Sequence, residues 1–336
     1  MLLLSREDIR KVVDMKEIID VTEEAFRMIT EDTADIPLRV KIPAPKGEFL
    51  FMPAYAESMS AAVVKVINIF PQNIDNGLVS SPAQIVLCDG DTGYILALLD
   101  GNTVTQYRTG ASSGVAFRNL ARKDARTGGM IGAGGQAATQ LEAMVCACDL
   151  EEVKIFDLNR ERLEAFCGRM QRELAGYGTR FTPVKSADEA TEDADVLITV
   201  TPSSTPVFDG NTIKPGCTIS CVGTYEPDKH ELDPAVLLRA GKIYCDSCEA
   251  ALAETGDLLI PMADGIITGD DITGNIGDVA LGKLAGRESD DEIIIYETVG
   301  VAVQDLCAAK VIYDKAVEMG IGTLWDSEGS KSKRFE

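Results

Sequence analysis

A glycine-rich loop between a predicted strand and a predicted helix could bind a phosphate group. The loop matches G-x-G-x-x-A and reads Gly132-Ala133-Gly134-Gly135-Gln136-Ala137. Gly132 permits a tight turn, Gly134 allows backbone N–H groups to approach a pyrophosphate, and Ala137 allows close packing of helix on strand. An anion would lie at the helix N-terminus, where unpaired N–H groups and the helix dipole favour negative charge. Together with Gly135 and Gln136, these residues predict a dinucleotide-binding site.

An acidic residue after the next predicted strand supports this interpretation. Asp157 follows the strand at 153–156, about 20 residues after Ala137, which is the spacing of a carboxylate that binds the adenine ribose. A carboxylate there favours NAD, because it would repel the 2′-phosphate of NADP. Arg160 and Arg162 follow closely and could reach a 2′-phosphate, so NADP stays open. The alternative is a glycine turn without a ligand, which does not explain the spacing.

Three basic residues in the first third of the chain could bind and protonate a carboxylate-bearing substrate. Arg39 and Arg108 each carry a planar guanidinium that can donate paired hydrogen bonds to a carboxylate. Lys65 lies in the apolar run 62–70, where burial would lower its pKa and let it give or take a proton. The alternative is that Lys65 points to solvent and the arginines pair with surface carboxylates. Composition by itself favours that alternative, because the chain is acidic.

The first third of the chain shows two kinds of pattern. Apolar residues between 5 and 29 recur at helical spacing with a break near Met15, which predicts two short helices. Extended apolar runs follow at residues 49–55, 62–70 and 84–99. The last run is interrupted by an Asp-Gly-rich turn at 89–93, which is typical of an antiparallel hairpin. Consecutive strands without helices between them predict an antiparallel sheet around Lys65.

From residue 109 onward, strands alternate with helical segments. A helical stretch rich in small residues at 109–120 comes first, and a long helical pattern at 293–319 comes last. Between them, predicted strands lie at residues 128–131, 153–156, 196–199, 218–222 and 242–245. Alternation of strand and helix predicts a doubly wound α/β domain, which is the setting that a dinucleotide-binding glycine loop requires.

Length and charge exclude several classes of protein. A chain of 336 residues suggests two domains. Its net charge of −22 disfavours binding to nucleic acid, because a phosphate backbone would be repelled. No apolar stretch approaches the roughly 18 to 20 residues that a membrane span needs, and the run at residues 2–4 is too short for a signal peptide. We therefore expect a cytoplasmic protein with neither a nucleic-acid nor a membrane partner.

Nine cysteines raise the question of a metal site or disulfides. Only Cys245 and Cys248 form a C-x-x-C pair, whereas a zinc ribbon needs two such pairs, and the single His230 cannot complete a histidine-rich site. An odd number of cysteines is consistent with a reducing compartment, where thiols behave as small apolar groups. We predict buried or half-buried thiols and no metal site.

Several motifs, in order along nearly the whole chain, resemble the ornithine cyclodeaminase and mu-crystallin family, which includes archaeal alanine dehydrogenases and ketimine reductases. Besides the glycine loop, these motifs lie at residues 37–39, 64–71, 91–93, 108–111, 231–233 and 298–300. The resemblance implies an α+β antiparallel-sheet domain for substrate and dimerisation, formed by residues 1–120 with 295–325. It implies a Rossmann cofactor domain at 121–294, and a homodimer. Residues 326–336 are predicted to be a polar tail.

The resemblance assigns the substrate chemistry to Arg39, Lys65 and Arg108. The two arginines would hold a carboxylate, and Lys65 would exchange the proton. With all three positions matched, solvent exposure becomes the weaker interpretation for them. Asp228 is a further candidate for proton transfer. Beyond the glycine loop and Asp157, the residues expected at the cofactor are Ser80, Thr109, Arg160, Thr201, Gly223 and Thr298.

One departure from the family pattern bears on the type of reaction. Cyclodeaminases carry an Asp two residues before the proline of a G-x-D-x-P-G segment, whereas here the segment 223–228 has Tyr225 in that position. That Asp is expected to handle the side-chain amine of ornithine. Its absence disfavours ring-closing deamination and favours the imine-reducing members of the family.

We therefore predict an NAD(P)-dependent oxidoreductase that transfers hydride between the nicotinamide and Cα of a small amino acid or its imine. A cyclic imine such as pyrroline-2-carboxylate or piperideine-2-carboxylate is the leading substrate. Two alternatives remain. One is an ornithine cyclodeaminase that uses bound NAD to convert ornithine to proline. The other is a crystallin-like protein that binds a dinucleotide without turnover, and the retained Lys65, Arg39 and Arg108 argue against it.

Overall fold

The computed structural model describes residues 1–326 and contains mixed α and β structure. The strands are β1 (Leu2–Leu4), β2 (Ala34–Asp35), β3 (Val40–Ala44), β4 (Gly47–Ala56), β5 (Ala61–Ile69), β6 (Ala83–Asp89), β7 (Ile95–Asp100), β8 (Thr127–Ile131), β9 (Glu152–Phe156), β10 (Arg180–Pro183), β11 (Val196–Thr199), β12 (Thr218–Cys221), β13 (Ala240–Cys245), β14 (Gly274–Asn275), β15 (Ile293–Glu297) and β16 (Thr323–Leu324). The helices are α1 (Arg6–Val12), α2 (Met15–Glu31), α3 (Gly101–Leu120), α4 (Ala137–Ala147), α5 (Arg160–Glu173), α6 (Ala187–Thr191), α7 (Pro234–Arg239), α8 (Cys248–Glu254), α9 (Gly256–Ala263), α10 (Ile276–Ala280) and α11 (Ala302–Glu318).

The chain forms two compact units, and their boundaries differ from those predicted. Unit 1 contains Met1–Arg108 and the segment that begins at Val301, and unit 2 contains Thr109–Gly300. The prediction of one helix over 293–319 is wrong for its first part, because Ile293–Glu297 form the buried strand β15. A short apolar run fits a strand or a helix equally well by periodicity. The predicted tail at 326–336 lies outside the described residues, apart from its first residue.

Unit 1 is built on a mostly antiparallel sheet with the strand order β16-β1-β7-β6-β5-β4-β2, and β3 pairs with β4. The hairpin predicted around 89–93 is confirmed as β6 and β7. The two predicted N-terminal helices are also present, and Asp14 caps the second by accepting a hydrogen bond from the Glu17 N–H, which explains the break near Met15. Helix α11 packs against α2 and against β4, β5 and β6.

Unit 2 contains a parallel sheet in the order β10-β9-β8-β11-β12-β15-β13-β14. All five predicted strands are present, whereas β10, β14 and β15 are additional. The buried apolar residues of unit 2 form two cores, as expected for a sheet that is covered on both faces. One core contains Met130 and Ile155, and the other contains Ile131 and Ile219. The predicted doubly wound domain is confirmed. In such sheets ligands bind beyond the carboxyl ends of the strands, where the strand order reverses.

Candidate active site and cofactor site

Lys65 occupies a core position in the middle of the unit 1 sheet. It lies on β5 between β4 and β6, opposite Met52 and Ile85, and its side chain is 1% exposed. The Nζ atom donates a hydrogen bond of 2.6 Å to Oδ2 of Asp305, which is fully buried in the first turn of α11. The interpretation in which Lys65 points to solvent is therefore wrong.

Arg108 shares the same buried carboxylate. Its Nε donates to Oδ1 of Asp305 at 3.1 Å, and its Nη1 donates to Oε1 of Gln304 at 3.3 Å. The Gln304 oxygen also accepts a hydrogen bond from the Val301 N–H, which fixes it at the start of α11. One carboxylate thus bridges two cations whose side chains are 1% and 7% exposed. Buried charges require such partners.

The environment of Lys65 lowers its pKa from 10.5 to about 7. Burial is the largest cause, because it disfavours the charged amine, and repulsion from Arg108 adds to it. The charge and hydrogen bond of Asp305 act in the opposite direction, while the half-buried Arg39 lowers the pKa further. A group with a pKa near neutrality can both donate and accept a proton at physiological pH.

Basic side chains surround one carboxylate in this site. Lys65 and Arg108 share Asp305, and Arg39 also acts electrostatically on Lys65. Such a site favours an anion with the geometry of a carboxylate. Sequence reasoning missed Asp305 and Gln304. The available signal was an acidic residue in the mostly apolar first half of this helix, residues 302–309.

The glycine loop of unit 2 has the shape that its sequence predicts. Gly132 has φ of +109°, and a Cβ there would lie 2.6 Å from the Val200 carbonyl oxygen, so only glycine fits. Gly134 and Gly135 have no neighbour within 4 Å of a Cβ position, although neither has a positive φ. Oε1 of Gln136 is buried without a hydrogen-bond partner. Open space and an unsatisfied polar atom fit a cofactor against this loop.

Asp157 lies beside this loop. Its Oδ2 accepts a hydrogen bond from the Ala133 N–H at 2.8 Å, and its Oδ1 accepts from the Asn159 N–H at 2.7 Å. Arg162 donates to both oxygens, at 2.6 and 2.8 Å. Burial opposes ionisation, but the hydrogen bonds and the charge of Arg162 outweigh it and lower the pKa of Asp157. The carboxylate is therefore ionised at neutral pH.

The surface next to Asp157 is concave. It forms an open pocket whose wall consists of Phe156, Asp157, Leu158, Arg160, Val184 and Lys185. Arg160 donates from Nη1 to the Val184 carbonyl and pairs through Nε with Glu164, so its side chain lies along the pocket wall. The pocket lies at the carboxyl end of β9, where the adenosine half of a dinucleotide is expected to bind.

Glu231 connects two residues that were predicted at the cofactor. Its Oε1 accepts hydrogen bonds from the Thr201 N–H and hydroxyl, both at 2.7 Å, and its Oε2 accepts from the Gly223 N–H at 2.9 Å. Thr201 follows β11 and Gly223 follows β12, so Glu231 holds together the chain segments beyond two central strands. Burial and the nearby carboxylate of Asp257 raise the pKa of Glu231 to about 8. Sequence reasoning gave Glu231 no role.

The remaining predicted residues occupy different settings. Thr298 is buried, and its hydroxyl donates to Oδ2 of Asp246 at 2.7 Å. The Thr109 carbonyl accepts a hydrogen bond from Gln140 within unit 2. Ser80 is half-buried in the loop between β5 and β6, and Asp228 is exposed in the loop after β12. Among the described residues, no hydrogen bond joins the Ser80 side chain to Lys65 or the Asp228 side chain to Glu231.

Two further observations concern sites of other kinds. Within residues 1–326, no group of three or more His, Cys, Asp or Glu side chains is arranged to hold a metal ion. No helix in that part of the chain is both long and apolar enough to cross a membrane. The nine cysteines are all free thiols, and each is buried or half-buried as predicted.

A parallel sheet with a glycine loop is typical of dinucleotide-binding proteins, and the buried Lys-Asp-Arg cluster of unit 1 could attract an anionic ligand. The model of the ornithine cyclodeaminase/mu-crystallin family matches residues 1–320. The chain belongs to this family, which confirms the resemblance that its motifs predict.

Relatives and solved structures support the same assignment. A Δ1-pyrroline-2-carboxylate reductase of Bacillus cereus is 37% identical over 324 residues, which cover 96% of this chain and 98% of that protein. The Thermococcus litoralis Δ1-pyrroline-2-carboxylate reductase, solved with NADH and L-proline, has a TM-score of 0.92 and 40% identity, covering 97% and 100% of the two chains. An archaeal alanine dehydrogenase dimer with bound NAD has a TM-score of 0.89 and 34% identity, covering 97% and 99%.

Proposed function

We propose that the protein reduces Δ1-pyrroline-2-carboxylate to L-proline with NADH. The observation that carries the proposal is the buried Lys65, whose pKa lies at about 7 and which shares Asp305 with Arg108. The reductase relatives, at 37% and 40% identity, support the substrate. The reaction consumes one imine, one NADH and one proton, and it forms one proline and one NAD⁺. A bound nicotinamide would supply the hydride.

The basic residues of unit 1 would bind and protonate the substrate. Arg108 uses Nε on Asp305 and Nη1 on Gln304, so we expect its Nη2 to meet the substrate carboxylate, together with Arg39. Lys65 would donate the proton that the imine nitrogen keeps in the product. Holding the substrate in place can contribute roughly 7 to 11 kcal/mol to the lowering of the barrier. Asp305 would orient both Lys65 and Arg108.

The cofactor would be held by the residues of unit 2. Gly132, Gly134 and Gly135 would face the pyrophosphate with Gln136 and Ala137 at the start of α4, and Asp157 would bind the adenine ribose. Glu231 would set the positions of Thr201 and Gly223. Ser80, Thr109, Arg160 and Thr298 remain predicted cofactor residues, and Asp228 remains a candidate second proton carrier.

A panel of substrates tests the proposal. We expect the highest kcat/KM for Δ1-pyrroline-2-carboxylate, followed by the six-membered piperideine-2-carboxylate and then by the linear imine formed from pyruvate and ammonia. L-Ornithine belongs in the same panel, with ammonia release as the assay. Ammonia from ornithine without net NADH would identify a cyclodeaminase, which Tyr225 disfavours because it replaces the expected Asp. Tight NADH binding without any turnover would identify a binding protein.

We expect NADH to be preferred over NADPH because of Asp157. Replacing Asp157 with Ser removes a charge that would repel a 2′-phosphate and frees Arg162 to bind one. A hydrogen bond to a charged group contributes about 1.5 to 3 kcal/mol, so the ratio of kcat/KM for NADH over NADPH should fall by about 10- to 100-fold. Steady-state kinetics with both cofactors measures this ratio. Asp157→Asn removes only the charge, so its ratio should lie between those of the wild type and Asp157→Ser. A wild-type preference for NADPH would contradict the expectation.

We propose that unit 1 forms a homodimer through the outer strand β3. Val40 and Ile42 are 52% and 49% exposed on this strand, which is paired only with β4 among the described residues, and Leu38 just before it is 55% exposed. An exposed apolar strand is typical of a surface that another chain covers. The solved archaeal relative is a dimer.

Charge on this strand should therefore separate the subunits. Val40→Lys combined with Ile42→Lys is expected to give a monomer by light scattering, because two desolvated ammonium groups would face each other across a two-fold interface. Leu238→Lys is the matched control, since Leu238 is 68% exposed on α7 of unit 2. If light scattering gives the β3 variant the same molar mass in solution as the wild type, this interface is contradicted.

The cytoplasmic location remains a prediction. Nine free thiols support it, because a reducing compartment keeps thiols unpaired.

A further inference from the structure

Three fully buried carboxyl groups lie near one another in unit 2. Glu231, Asp257 and Glu297 are all 0% exposed, and among the described residues no lysine or arginine forms an ion pair with any of them. Burial raises the pKa of all three, and the charge of Asp257 adds to it for Glu231 and Glu297. Three buried like charges without cations would be very unfavourable, so we expect at least one of these carboxyls to hold a proton.

Two threonine hydroxyls connect Glu297 to Asp257. Oε1 of Glu297 lies 3.1 Å from Oγ1 of Thr255, which lies 2.6 Å from Oγ1 of Thr224. That atom lies 2.7 Å from Oδ2 of Asp257 and, at a longer distance of 3.4 Å, from Oε1 of Glu297. The three shorter contacts need three hydrogens, whereas two hydroxyls supply only two. The third hydrogen must come from the carboxyl group at one end, Glu297 or Asp257.

The hydrogen bonds at the two ends favour a proton on Glu297. Oδ1 of Asp257 accepts from the backbone N–H groups of Glu231 and Leu232, at 2.6 and 2.8 Å. Oε2 of Glu297 is buried without a hydrogen-bond partner. Bonds from N–H groups stabilise the charged form of a carboxyl, and burial without them stabilises the neutral form. The hydroxyl of a protonated Glu297 would donate to Thr255, Thr255 to Thr224, and Thr224 to Asp257.

We propose that Glu297 is a neutral carboxylic acid in the folded protein and that its proton helps to position the segments that bind the cofactor. Through the two threonines it holds Asp257, which in turn binds the backbone of Glu231. The Glu231 carboxylate accepts hydrogen bonds from Thr201 at 2.7 Å and from Gly223 at 2.9 Å. Glu297 is thus a positioning residue, and its effect on the cofactor rests on the function proposed for Thr201 and Gly223.

Loss of this proton should weaken cofactor binding. The ionisable groups that act electrostatically on Glu297 are Asp257, Glu231, Asp246, Cys221 and Cys245. All of them are acidic, so none stabilises a charge on Glu297. Ionisation would remove the hydrogen from the contact with Thr255 and place a second charge near Asp257. Cofactor binding should therefore be intact at neutral pH and decline as the pH rises through the raised pKa of Glu297.

Infrared spectroscopy of the whole protein tests the protonation directly, because a carboxylic acid has a carbonyl band that a carboxylate lacks. We expect this band at neutral pH, and we expect isotope-labelled glutamate to shift it. A component of the band should be absent from Glu297→Gln. A wild type without the band, a shift with labelled aspartate alone, or a band that is unchanged in Glu297→Gln would overturn the proposal. The labelling needs no variant, so it applies even if Glu297→Gln does not fold.

The affinity for NADH, measured by fluorescence titration between pH 7 and pH 10, tests the positioning role. Binding to the wild type should weaken by about fivefold or more over this range, a typical coupling between two sites. Glu297→Gln stays neutral, and its amide N–H can donate to Thr255. It should match the wild type at pH 7 and keep that affinity at pH 10, whereas Glu297→Leu, which cannot donate, should bind weakly at both.

Glu249→Gln is the matched control, because Glu249 is exposed on the neighbouring helix α8. It should show the infrared band and the pH response of the wild type. Equal pH responses in the wild type and Glu297→Gln would overturn the positioning role. The infrared measurement needs no cofactor, so a protein that shows the Glu297 band but binds NADH at no pH would count against the proposed function instead.

Discussion

Replacing Lys65 with Met is expected to lower kcat for imine reduction by about 10²- to 10⁴-fold, which is the usual contribution of a general acid. Methionine has a similar length and fits an apolar core, so the fold should survive while the proton donor is lost. Steady-state oxidation of NADH with Δ1-pyrroline-2-carboxylate measures the effect. The control is Lys16→Met, an exposed lysine on α2. Unchanged turnover in the Lys65 variant would remove Lys65 from the reaction.

The pH dependence of kcat/KM should also reflect the titration of Lys65. Reduction requires the charged amine, so kcat/KM should fall as pH rises through about 7, the pKa of Lys65. Oxidation of proline requires the neutral amine, so its kcat/KM should rise over the same range. Both limbs should disappear in Lys65→Met. A limb that persists in this variant would belong to a group other than Lys65.

Replacing Asp305 with Ala is expected to lower the free energy of unfolding by about 3 to 5 kcal/mol, because it leaves buried cations without their partner. Both Lys65 and Arg108 would lose the carboxylate that now lies 2.6 and 3.1 Å away. Denaturation with urea measures the loss. Asp314→Ala on the same helix is the matched control, because Asp314 is exposed and a surface pair such as that with Lys310 contributes only about 0 to 1 kcal/mol.

The stability loss should depend on pH in a defined direction. The pKa of Lys65 in the folded protein, about 7, lies below its ordinary value of 10.5. Its burial therefore costs most below pH 7, and stability rises with pH between these two values. Asp305 raises this pKa, so without it the amine would lose its proton at a lower pH. The loss in Asp305→Ala should be larger at pH 6 than at pH 9, and an equal loss at both would contradict the charge pairing.

The sequence predicted that Asp157 lies beside the glycine loop, but it did not predict the carboxylate that pairs with Lys65 and Arg108, and the reason lies in chain distance. The glycine loop and Asp157 belong to one βαβ unit, so their spacing alone predicts their contact. The bond between Lys65 and Asp305 spans 240 residues, and the bond between Arg108 and Asp305 spans 197. Nothing in local spacing predicts which carboxylate closes such a contact.

The prediction of β15 as part of a helix has a different physical cause. Ile293–Glu297 is buried throughout, so it has neither the alternation of a half-exposed strand nor a polar face. Strands in the interior of a parallel sheet have this composition. The helix α11 that follows was predicted correctly, and the error lay only in where it begins.

The most direct test of the central claim is the stoichiometry of the reaction. The enzyme is incubated with limiting NADH and excess Δ1-pyrroline-2-carboxylate, and NADH absorbance and L-proline are measured in the same sample. The roles proposed for Lys65 and Arg108 predict one L-proline for each NADH consumed by the wild type, and almost no L-proline from Lys65→Met in the same time. Absence of L-proline with the wild type, or equal yields from both proteins, would contradict this account.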